Sequence, residues 1–358
     1  MLNKKNAIIF LFLLGCLSFA FSQNNPPSIT ANGNGVYCEG NTVAIATNVS
    51  ITDPDPTDTT LDVIVIQISE GYSNGQDLLI LNGVHPNINA SWNANQGELT
   101  LTGNATFLEY ENAIESVGFQ TTQTIFTDDR AFSINIGNAN YLPSTGHYYF
   151  YVADVGITWT QAEAAASSTT FYGLQGYLAT ITSVEESQLT GEQSPGTGWI
   201  GATDVQTEGT WRWVTGPEAG TVFWIGDFNG TAQNDEFSFW NNGEPNNFGG
   251  NENYAHITDP SIGNPGSWND LPVTGDVFGS PYHPQGYLVE FVGMPGESTI
   301  NLSTSTSLVM PRLTNVTDGE GCENNAIRLS AVTNADTILW YASSTSTTVI
   351  NTGLTYNP

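Results

Sequence analysis

The sequence predicts a multidomain protein in which one α+β domain lies between two all-β modules of the sandwich type. From Pro27 to Leu142 short apolar runs alternate with turn residues, a pattern typical of β-sheet. Between His147 and Val292 the chain carries many tryptophans, an alanine-rich segment and long loops rich in asparagine and glycine. Short β patterns return after Cys322. Because 358 residues exceed what one hydrophobic core usually serves, several domains are expected.

The first residues have the pattern of a secretory signal peptide. Lys4 and Lys5 precede an apolar run that ends at Phe21, and the small residue Ser22 follows. A lipoprotein cleavage site before Cys16 is the alternative, but apolar residues continue beyond it, where a lipid tether should be polar. We expect residues 1–22 to be removed and the mature chain to be secreted, extracellular or at the cell surface. No later segment has the roughly 20 apolar residues of a membrane helix, so no membrane insertion is expected.

The chain is strongly acidic and almost free of cysteine. Thirty-five Asp and Glu face six Lys and Arg, which gives a net charge of −29 and excludes nucleic acid and anionic membranes as natural partners. Charged residues make up only 11% of the chain, which favours solubility over cation capture as the role of this acidity. After signal cleavage only Cys38 and Cys322 remain, so a disulfide framework is excluded, and whether these two pair is left open.

The first module, residues 23–143, is expected to be a β-sandwich. The run Leu61 to Ile68 predicts a strand that is buried on both faces, and Leu108 to Val117 is its helical candidate. An acidic loop follows residue 52 and resembles the calcium loops of cadherin-like modules. A solvated turn is the alternative, because proline and aspartate also make turns. The aspartates of this loop are Asp53, Asp55, Asp58 and Asp62.

The middle domain, residues 144–293, is expected to be α+β. Trp159 to Ser167 predicts a helix that a neighbouring threonine can cap, Gly176 to Ile181 predicts a strand, and Thr182 to Glu186 predicts a second helix start. A linker rich in Pro, Gly, Ser and Thr is expected at 294–315. Residues 316–358 resemble part of an immunoglobulin-like module with too few strands for a sandwich, which predicts further domains of a longer, adhesin-like chain.

Two tripeptides of the middle domain carry the residues suited to chemistry. They are Glu-Pro-Asn at 244–246 and Trp-Asn-Asp at 268–270, with Glu252 between them. Their carboxylate and amide oxygens are the ligands that calcium takes in irregular loops. Carboxylates also accept, and asparagines donate, the hydrogen bonds of two neighbouring sugar hydroxyls. Pro245 permits a cis bond that turns the flanking side chains to one side. A surface turn with a few acids is the alternative for the Glu-Pro-Asn tripeptide alone.

In this region the chain resembles a C-type lectin domain. Trp199-Ile200-Gly201 is similar to the central strand motif of that family, and the two tripeptides are similar to its calcium and sugar motifs. The first half agrees, with an opening strand at His147 to Val152 followed by the helix and strand predicted above. The resemblance covers about 145 residues. It implies an α+β C-type-lectin-like domain between all-β sandwich-type modules.

The resemblance also implies a ligand set. It assigns both calcium and sugar binding to Glu244, Asn246, Glu252, Asn269 and Asp270. It assigns an auxiliary calcium to Asp204, Glu208, Asn247 and Glu252, although asparagine at 247 replaces an acid often found there and a hairpin loop is the alternative. In this family Glu-Pro-Asn accompanies glycans of the mannose and glucose type, whereas Gln-Pro-Asp accompanies galactose. Phe248 is the expected aromatic contact to a ligand.

The chain departs from the family at its disulfides and in one loop. The usual four cysteines correspond to Ala166, Tyr254, Val273 and Val289, so stability must come from tryptophan packing and calcium. The long loop of the site also contains an insertion after Pro272, up to Gln285.

The predicted function is calcium-dependent carbohydrate binding by a secreted, adhesin-like protein that is not an enzyme. A glycosidase is disfavoured because the carboxylates near the site are expected to be calcium ligands and therefore poor proton donors. The main alternative is a lectin-like domain that binds a protein or another non-sugar surface ligand. Such domains often lose a calcium ligand, whereas all five are present here. A purely structural role is the remaining alternative.

Overall fold

The computed structural model describes residues 25–37, 40–317, 328–334, 337–343 and 345–358. The predicted signal peptide, Cys38 and Cys322 lie outside these residues. Within them, none of the helices has both the length and the apolar character that a membrane crossing requires.

In the residues described, the N-terminal part of the chain forms ten strands and one helix. The strands are β1 (Ser28–Asn32), β2 (Asn34–Val36), β3 (Val43–Ala44), β4 (Thr47–Thr52), β5 (Thr60–Glu70), β6 (Asp77–Leu81), β7 (Asn89–Asn93), β8 (Glu98–Thr106), β9 (Val117–Thr121) and β10 (Arg130–Ile136). Strands β10, β5, β8 and β7 are consecutive members of one sheet, β3, β9 and β6 form a second, and β1 pairs with β4. Every residue from Ile64 to Ser69 of β5 is buried, which confirms the strand predicted to be buried on both faces.

The helix α1 (Phe107–Glu115) begins where the sequence supplies a capping box. The hydroxyl of Thr106 accepts the backbone N–H of Glu109 at 3.3 Å, and the Glu109 carboxylate accepts the backbone N–H of Thr106 at 2.8 Å. Tyr110, Ala113 and Ile114 lie on the buried face of α1. The helical candidate predicted here is therefore confirmed to within two residues.

The middle of the chain contains eleven strands and two α-helices around one branched sheet. The strands are β11 (Asn140–Leu142), β12 (His147–Ala153), β13 (Thr170–Phe171), β14 (Leu174–Leu178), β15 (Gly198–Thr203), β16 (Thr210–Trp213), β17 (Val222–Ile225), β18 (Thr231–Ala232), β19 (Tyr254–Ile257), β20 (Trp268–Leu271) and β21 (Gly286–Phe291). Strand β21 pairs with β12, β14 and β15, so the two ends of this part of the chain meet in one sheet. Strands β19 and β20 form a hairpin on the edge of β15 and carry part of the candidate site.

Helix α2 (Trp159–Ser168) also begins with a capping box, in which the Thr158 hydroxyl accepts the backbone N–H of Gln161. Helix α3 (Val184–Gln193) begins after Ser183, whose hydroxyl accepts the backbone N–H of Glu186. Both helices lie where the sequence predicts them. The strand expected at 176–181 instead ends at Leu178, because the backbone amides of Ala179 and Thr180 bond to Leu288 and to the Glu290 side chain.

Tryptophan packing takes the place of disulfides in this domain. Trp199, Trp211, Trp213 and Trp268 are each at most 1% exposed, which confirms that tryptophans pack in the core of the domain. At the positions of the missing cysteines, Ala166 and Val289 are completely buried, and Tyr254 packs on Trp159 with ring centroids 4.9 Å apart.

Part of the segment expected as a linker at 294–315 is a strand, and the domain bounds themselves stay a prediction. Strand β22 (Ser303–Val309) lies between β2 and β10 in the six-stranded sheet of the N-terminal part. It pairs antiparallel with β10 from Arg130–Leu308 to Asn135–Ser303. Leu302, Thr306 and Leu308 are buried there, because alternate residues of this hydroxyl-rich strand face the core. Residues 137–302 therefore form one long connection between two neighbouring strands.

The C-terminal part is entirely β in the residues described. Its strands are β23 (Leu313–Thr317), β24 (Leu329–Thr333), β25 (Leu339–Tyr341), β26 (Val349–Thr352) and β27 (Thr355–Tyr356). They form a three-stranded sheet, β23-β24-β27, and a two-stranded sheet, β25-β26. The immunoglobulin-like character of this part stays a prediction.

Candidate functional site

The two tripeptides predicted to hold calcium lie on a loop and on a strand that run beside each other. Trp268 opens β20, and Trp240 forms an isolated bridge beside it just before the loop. The backbone N–H of Asn241 donates to the carbonyl of Trp268 at 2.8 Å, which holds the start of the loop against β20. The Glu244–Pro245 peptide bond is cis, as the sequence analysis anticipates.

Asp270 joins the two tripeptides. Its carboxylate accepts the backbone N–H of Asn246 at 3.1 Å with Oδ1 and that of Asn247 at 2.8 Å with Oδ2. The side chain is 1% exposed, since β20 lies inside the domain. One buried carboxylate therefore fixes the loop that carries Glu244 and Asn246.

Glu252 is fixed to the same loop from the other side. Its Oε2 accepts the backbone N–H of Phe248 at 2.8 Å, and its own backbone N–H donates to Oδ1 of Asn247 at 3.0 Å. These bonds close the short 3₁₀ turn Phe248–Gly250. The carboxylate of Glu252 thus approaches the Glu-Pro-Asn tripeptide although the two are separated in the chain.

Among the remaining predicted ligands, one oxygen accepts a hydrogen bond and another has no hydrogen-bond partner among the described residues. Asn246 donates from Nδ2 to Oε2 of Glu244 at 2.6 Å. Asn269 is 3% exposed, and its Oδ1 has no hydrogen-bond partner within the part of the chain that the structure describes. A buried amide oxygen without a partner is costly, and a cation ligand would satisfy it.

The carboxylates of this cluster resist ionisation when no cation is present. Burial, Asp270 and Glu252 raise the pKa of Glu244 to about 8. Burial and the neighbouring Asp270 and Asp276 raise the pKa of Glu252 to about 7. Burial also raises the pKa of Asp270. Like charges gathered in a partly buried place produce this pattern, and a divalent cation reverses it.

The auxiliary positions lie next to this cluster. Asp204 is 1% exposed, its Oδ2 accepts the backbone N–H of Gly209 at 2.7 Å, and its buried Oδ1 has no partner among the described residues. Burial, followed by the charges of Glu208 and Asp270, raises the pKa of Asp204 to about 6. Glu208 is exposed on the turn between β15 and β16. The residues of both predicted sites therefore fit calcium by the same criterion: oxygen donors with a buried oxygen that lacks a partner.

A cavity of about 490 Å³ opens at the principal cluster. Glu244, Asn246, Glu252 and Asn269 line it, and so do Asp276 and Tyr282 of the loop after β20. These two residues belong to the insertion predicted after Pro272, and the sequence alone indicates no function for them. The sequence feature that points to them is an aspartate and a tyrosine among turn residues next to a predicted sugar site.

The acidic loop of the first module also comes together. One carboxylate oxygen from each of Asp53, Asp55 and Asp58 lies within 4.8 Å of the others, so the group could hold a metal ion. The side chain of Asp62 instead accepts from Asn104 at 2.9 Å. The cadherin-like character of this module stays a prediction.

His256 and His283 each pack against aromatic rings. His256 is buried and its pKa is lowered to about 4 by burial, so it is neutral, while His283 packs at the edge of Phe278.

Residues 156–274 match the family model described as "Lectin C-type domain". The chain is also 32% identical over 332 residues to halomucin of Haloquadratum walsbyi, which covers 85% of this chain and 3% of halomucin. It is 38% identical over 80 residues to hepatic lectin of Gallus gallus, which covers 22% of this chain and 30% of that protein. The chain thus spans only a small part of each of these relatives.

Among solved structures, the carbohydrate-recognition domain of cow CD23, crystallised in the presence of a GlcNAc2Man3 oligosaccharide, shares 23% identity. The comparison covers 45% of this chain and 98% of that domain, with a TM-score of 0.31. The family-model match indicates a binding protein and not an enzyme, as the sequence analysis expects. The middle of this chain contains a C-type lectin domain, a family whose general activity is carbohydrate binding and whose usual cation is calcium.

Proposed function

We propose that the lectin domain, residues 144–293, binds glycans of the mannose and glucose type through a calcium ion. Glu244, Asn246, Glu252, Asn269 and Asp270 would hold this ion, and Asp204, Glu208, Asn247 and Glu252 would hold a second one. The flanking β modules present the domain outside the cell, as the predicted signal peptide suggests.

The observation that supports this proposal most directly is the junction at Asp270. Two tripeptides more than twenty residues apart are held together there by two hydrogen bonds from Asn246 and Asn247 to one buried carboxylate. A bound cation would also satisfy the unpartnered oxygen of Asn269 and favour the ionised form of Glu244, whose pKa is raised in its absence. A loop with a purely structural role needs neither the unpartnered Asn269 oxygen nor the raised pKa of Glu244.

Bound calcium supplies coordination positions for two neighbouring sugar hydroxyls. The protein supplies the directional part of recognition. Carboxylates of Glu244 and Glu252 can only accept hydrogen bonds, whereas the amides of Asn246 and Asn269 can donate them. Each hydroxyl can then donate to a carboxylate and accept from an amide, an arrangement suited to two equatorial hydroxyls.

The test of the proposed function is a glycan array probed with the mature chain in calcium and again in chelator. Mannose- and glucose-terminated glycans should bind in calcium and be released by the chelator. Binding that chelator leaves unchanged, or capture of no glycan at all, would instead support the alternative of a protein or other non-sugar ligand.

Exchanging Glu244→Gln together with Asn246→Asp is expected to move the preference from mannose towards galactose. The double variant keeps the oxygen ligands and the net charge, so calcium should still bind. It reverses which position donates and which accepts, and a site whose polar groups lose their partners rejects that ligand. Competition with the two sugars at saturating calcium measures the ratio of their affinities. An unaltered ratio would place sugar recognition away from residues 244 and 246.

A further inference from the structure

We propose that the insertion after Pro272 builds a second sugar subsite beside the calcium site, so that the ligand is a neutral oligosaccharide held through two adjoining residues. This inference rests on the proposed function and specifies the ligand of the same site. The terminal sugar would occupy the calcium cluster, and the next sugar would lie against Tyr282 and Asp276.

The cavity at the site is shared between the two parts. Glu244, Asn246, Glu252 and Asn269 line the part that belongs to the proposed calcium cluster, and Gly275, Asp276 and Tyr282 of the insertion line the remainder. Its volume of about 490 Å³ lies within the roughly 300–1,000 Å³ of sites that enclose a whole ligand. A hexose on the calcium cluster alone would leave the side formed by the insertion unfilled.

Tyr282 provides a firm apolar wall. Its side chain packs against the hydrophobic core, and its ring meets the buried His256 ring edge to face at 6.5 Å. The backbone N–H of Asp276 donates to the Tyr282 carbonyl at 3.2 Å, and that of Gly275 donates to the carbonyl of Pro272 at 2.8 Å. These bonds hold the insertion in place, so the aromatic ring is positioned before a ligand arrives.

Asp276 adds an exposed acceptor to the same wall. Its Oδ1 accepts the backbone N–H of Val277 at 2.7 Å, and a carboxylate has lone pairs for further hydrogen bonds from sugar hydroxyls. Phe248, which is 79% exposed, lines the cavity as well and offers a second aromatic surface. Aromatic rings beside hydrogen-bond acceptors suit the alternating apolar and hydroxyl surfaces of a sugar ring.

Charge restricts the class of oligosaccharide. Glu244, Glu252 and Asp276 all line the cavity, and the chain carries a net charge of −29. One calcium ion carries less charge than the three carboxylates proposed to hold it, and Asp276 adds a further negative charge to the cavity. Sugars that bear carboxylates or sulfates are therefore repelled, and neutral oligosaccharides are favoured.

The experiment compares methyl α-mannoside with an α-linked mannobiose by calorimetry on the mature chain at saturating calcium. The disaccharide should bind about tenfold more tightly. Tyr282→Ala should lower the ratio of disaccharide to methyl mannoside affinity to about one, and a native circular dichroism spectrum shows that the domain remains folded. Asp276→Ala should likewise lower the ratio of disaccharide to methyl mannoside affinity, and its side chain is exposed.

Phe278→Ala is the matched control, because Phe278 lies on the same insertion, is 85% exposed and does not line the cavity. It should leave both affinities unchanged. Equal affinity of the wild-type protein for the two sugars, or a ratio that neither Tyr282→Ala nor Asp276→Ala alters, would overturn the second subsite while leaving the proposed function standing. A wild-type protein that binds neither sugar in calcium would overturn the proposed function itself.

Discussion

Replacing Asp270 with alanine is expected to abolish sugar binding at calcium concentrations that saturate the wild-type protein. Asp270 has two roles, because it is a proposed calcium ligand and it accepts the backbone amides of Asn246 and Asn247. Loss of a calcium ligand together with the two contacts that hold the loop should lower sugar affinity by roughly a hundredfold, which corresponds to about 2.8 kcal/mol of binding free energy. Calorimetry with methyl mannoside at saturating calcium measures the loss.

Two variants separate loss of the site from loss of the fold. Asp270→Asn keeps the size of the side chain but removes its charge, so it too should bind sugar weakly while retaining native circular dichroism. Asp227→Ala removes an exposed aspartate elsewhere in the lectin domain and should bind like wild type. If Asp270→Ala binds sugar as well as the wild-type protein, the site lies elsewhere.

Calcium is expected to raise the melting temperature of the lectin domain by roughly 5 to 10 °C. A ligand that binds only the native state at a hundredfold excess over its Kd adds about 2.7 kcal/mol to the free energy of unfolding, and about 2 to 4 °C accompanies each kcal/mol in a domain of this size. Seven of the nine tryptophans lie between Trp159 and Trp268, so tryptophan fluorescence reports mainly on this domain. A melting curve that chelator does not shift would contradict calcium binding.

The rise in melting temperature that calcium causes should be larger at about pH 8 than at about pH 5.5. Without metal, a carboxyl group whose folded-state pKa is raised stabilises the native state while it is protonated. That stabilisation disappears as the pH rises through the folded-state pKa, about 7 for Glu252 and about 8 for Glu244. Calcium binds the ionised carboxylates, so its affinity increases with pH. Over the same pH range the metal-free domain becomes less stable. A shift independent of pH would show that these carboxylates are not its ligands.

Local features of this fold could be predicted from the sequence because neighbouring residues determine them. Helix α2 begins at Trp159 because Thr158 and Gln161 form a capping box, and both residues lie within one turn of the chain. The lectin domain could likewise be recognised from short motifs, and the match of residues 156–274 to the family model confirms it. The individual ligands of the site stay predictions.

Features that depend on distant pairing could not be predicted in this way. The composition of Ser303–Val309 is typical of a linker, and its partner β10 lies more than 160 residues earlier in the chain. Only the surrounding sheet gives Thr306 and Leu308 a core to face. The wall formed by Tyr282 and Asp276 escaped prediction for a related reason, because turn residues do not reveal which cavity a long loop will border.

The pairing of β10 with β22 determines how the chain transmits mechanical load. The lectin domain leaves the sheet at Ile136 and returns at Leu302, and the backbone N–H of the first donates to the carbonyl of the second at 2.8 Å. Tension applied to the two ends of the chain therefore runs through the strands of the sheet and bypasses the lectin domain. Only after β22 separates from β10 does the force reach residues 137–302. Residues 137–302 are thus expected to remain unstretched while the β10–β22 pair bears the force.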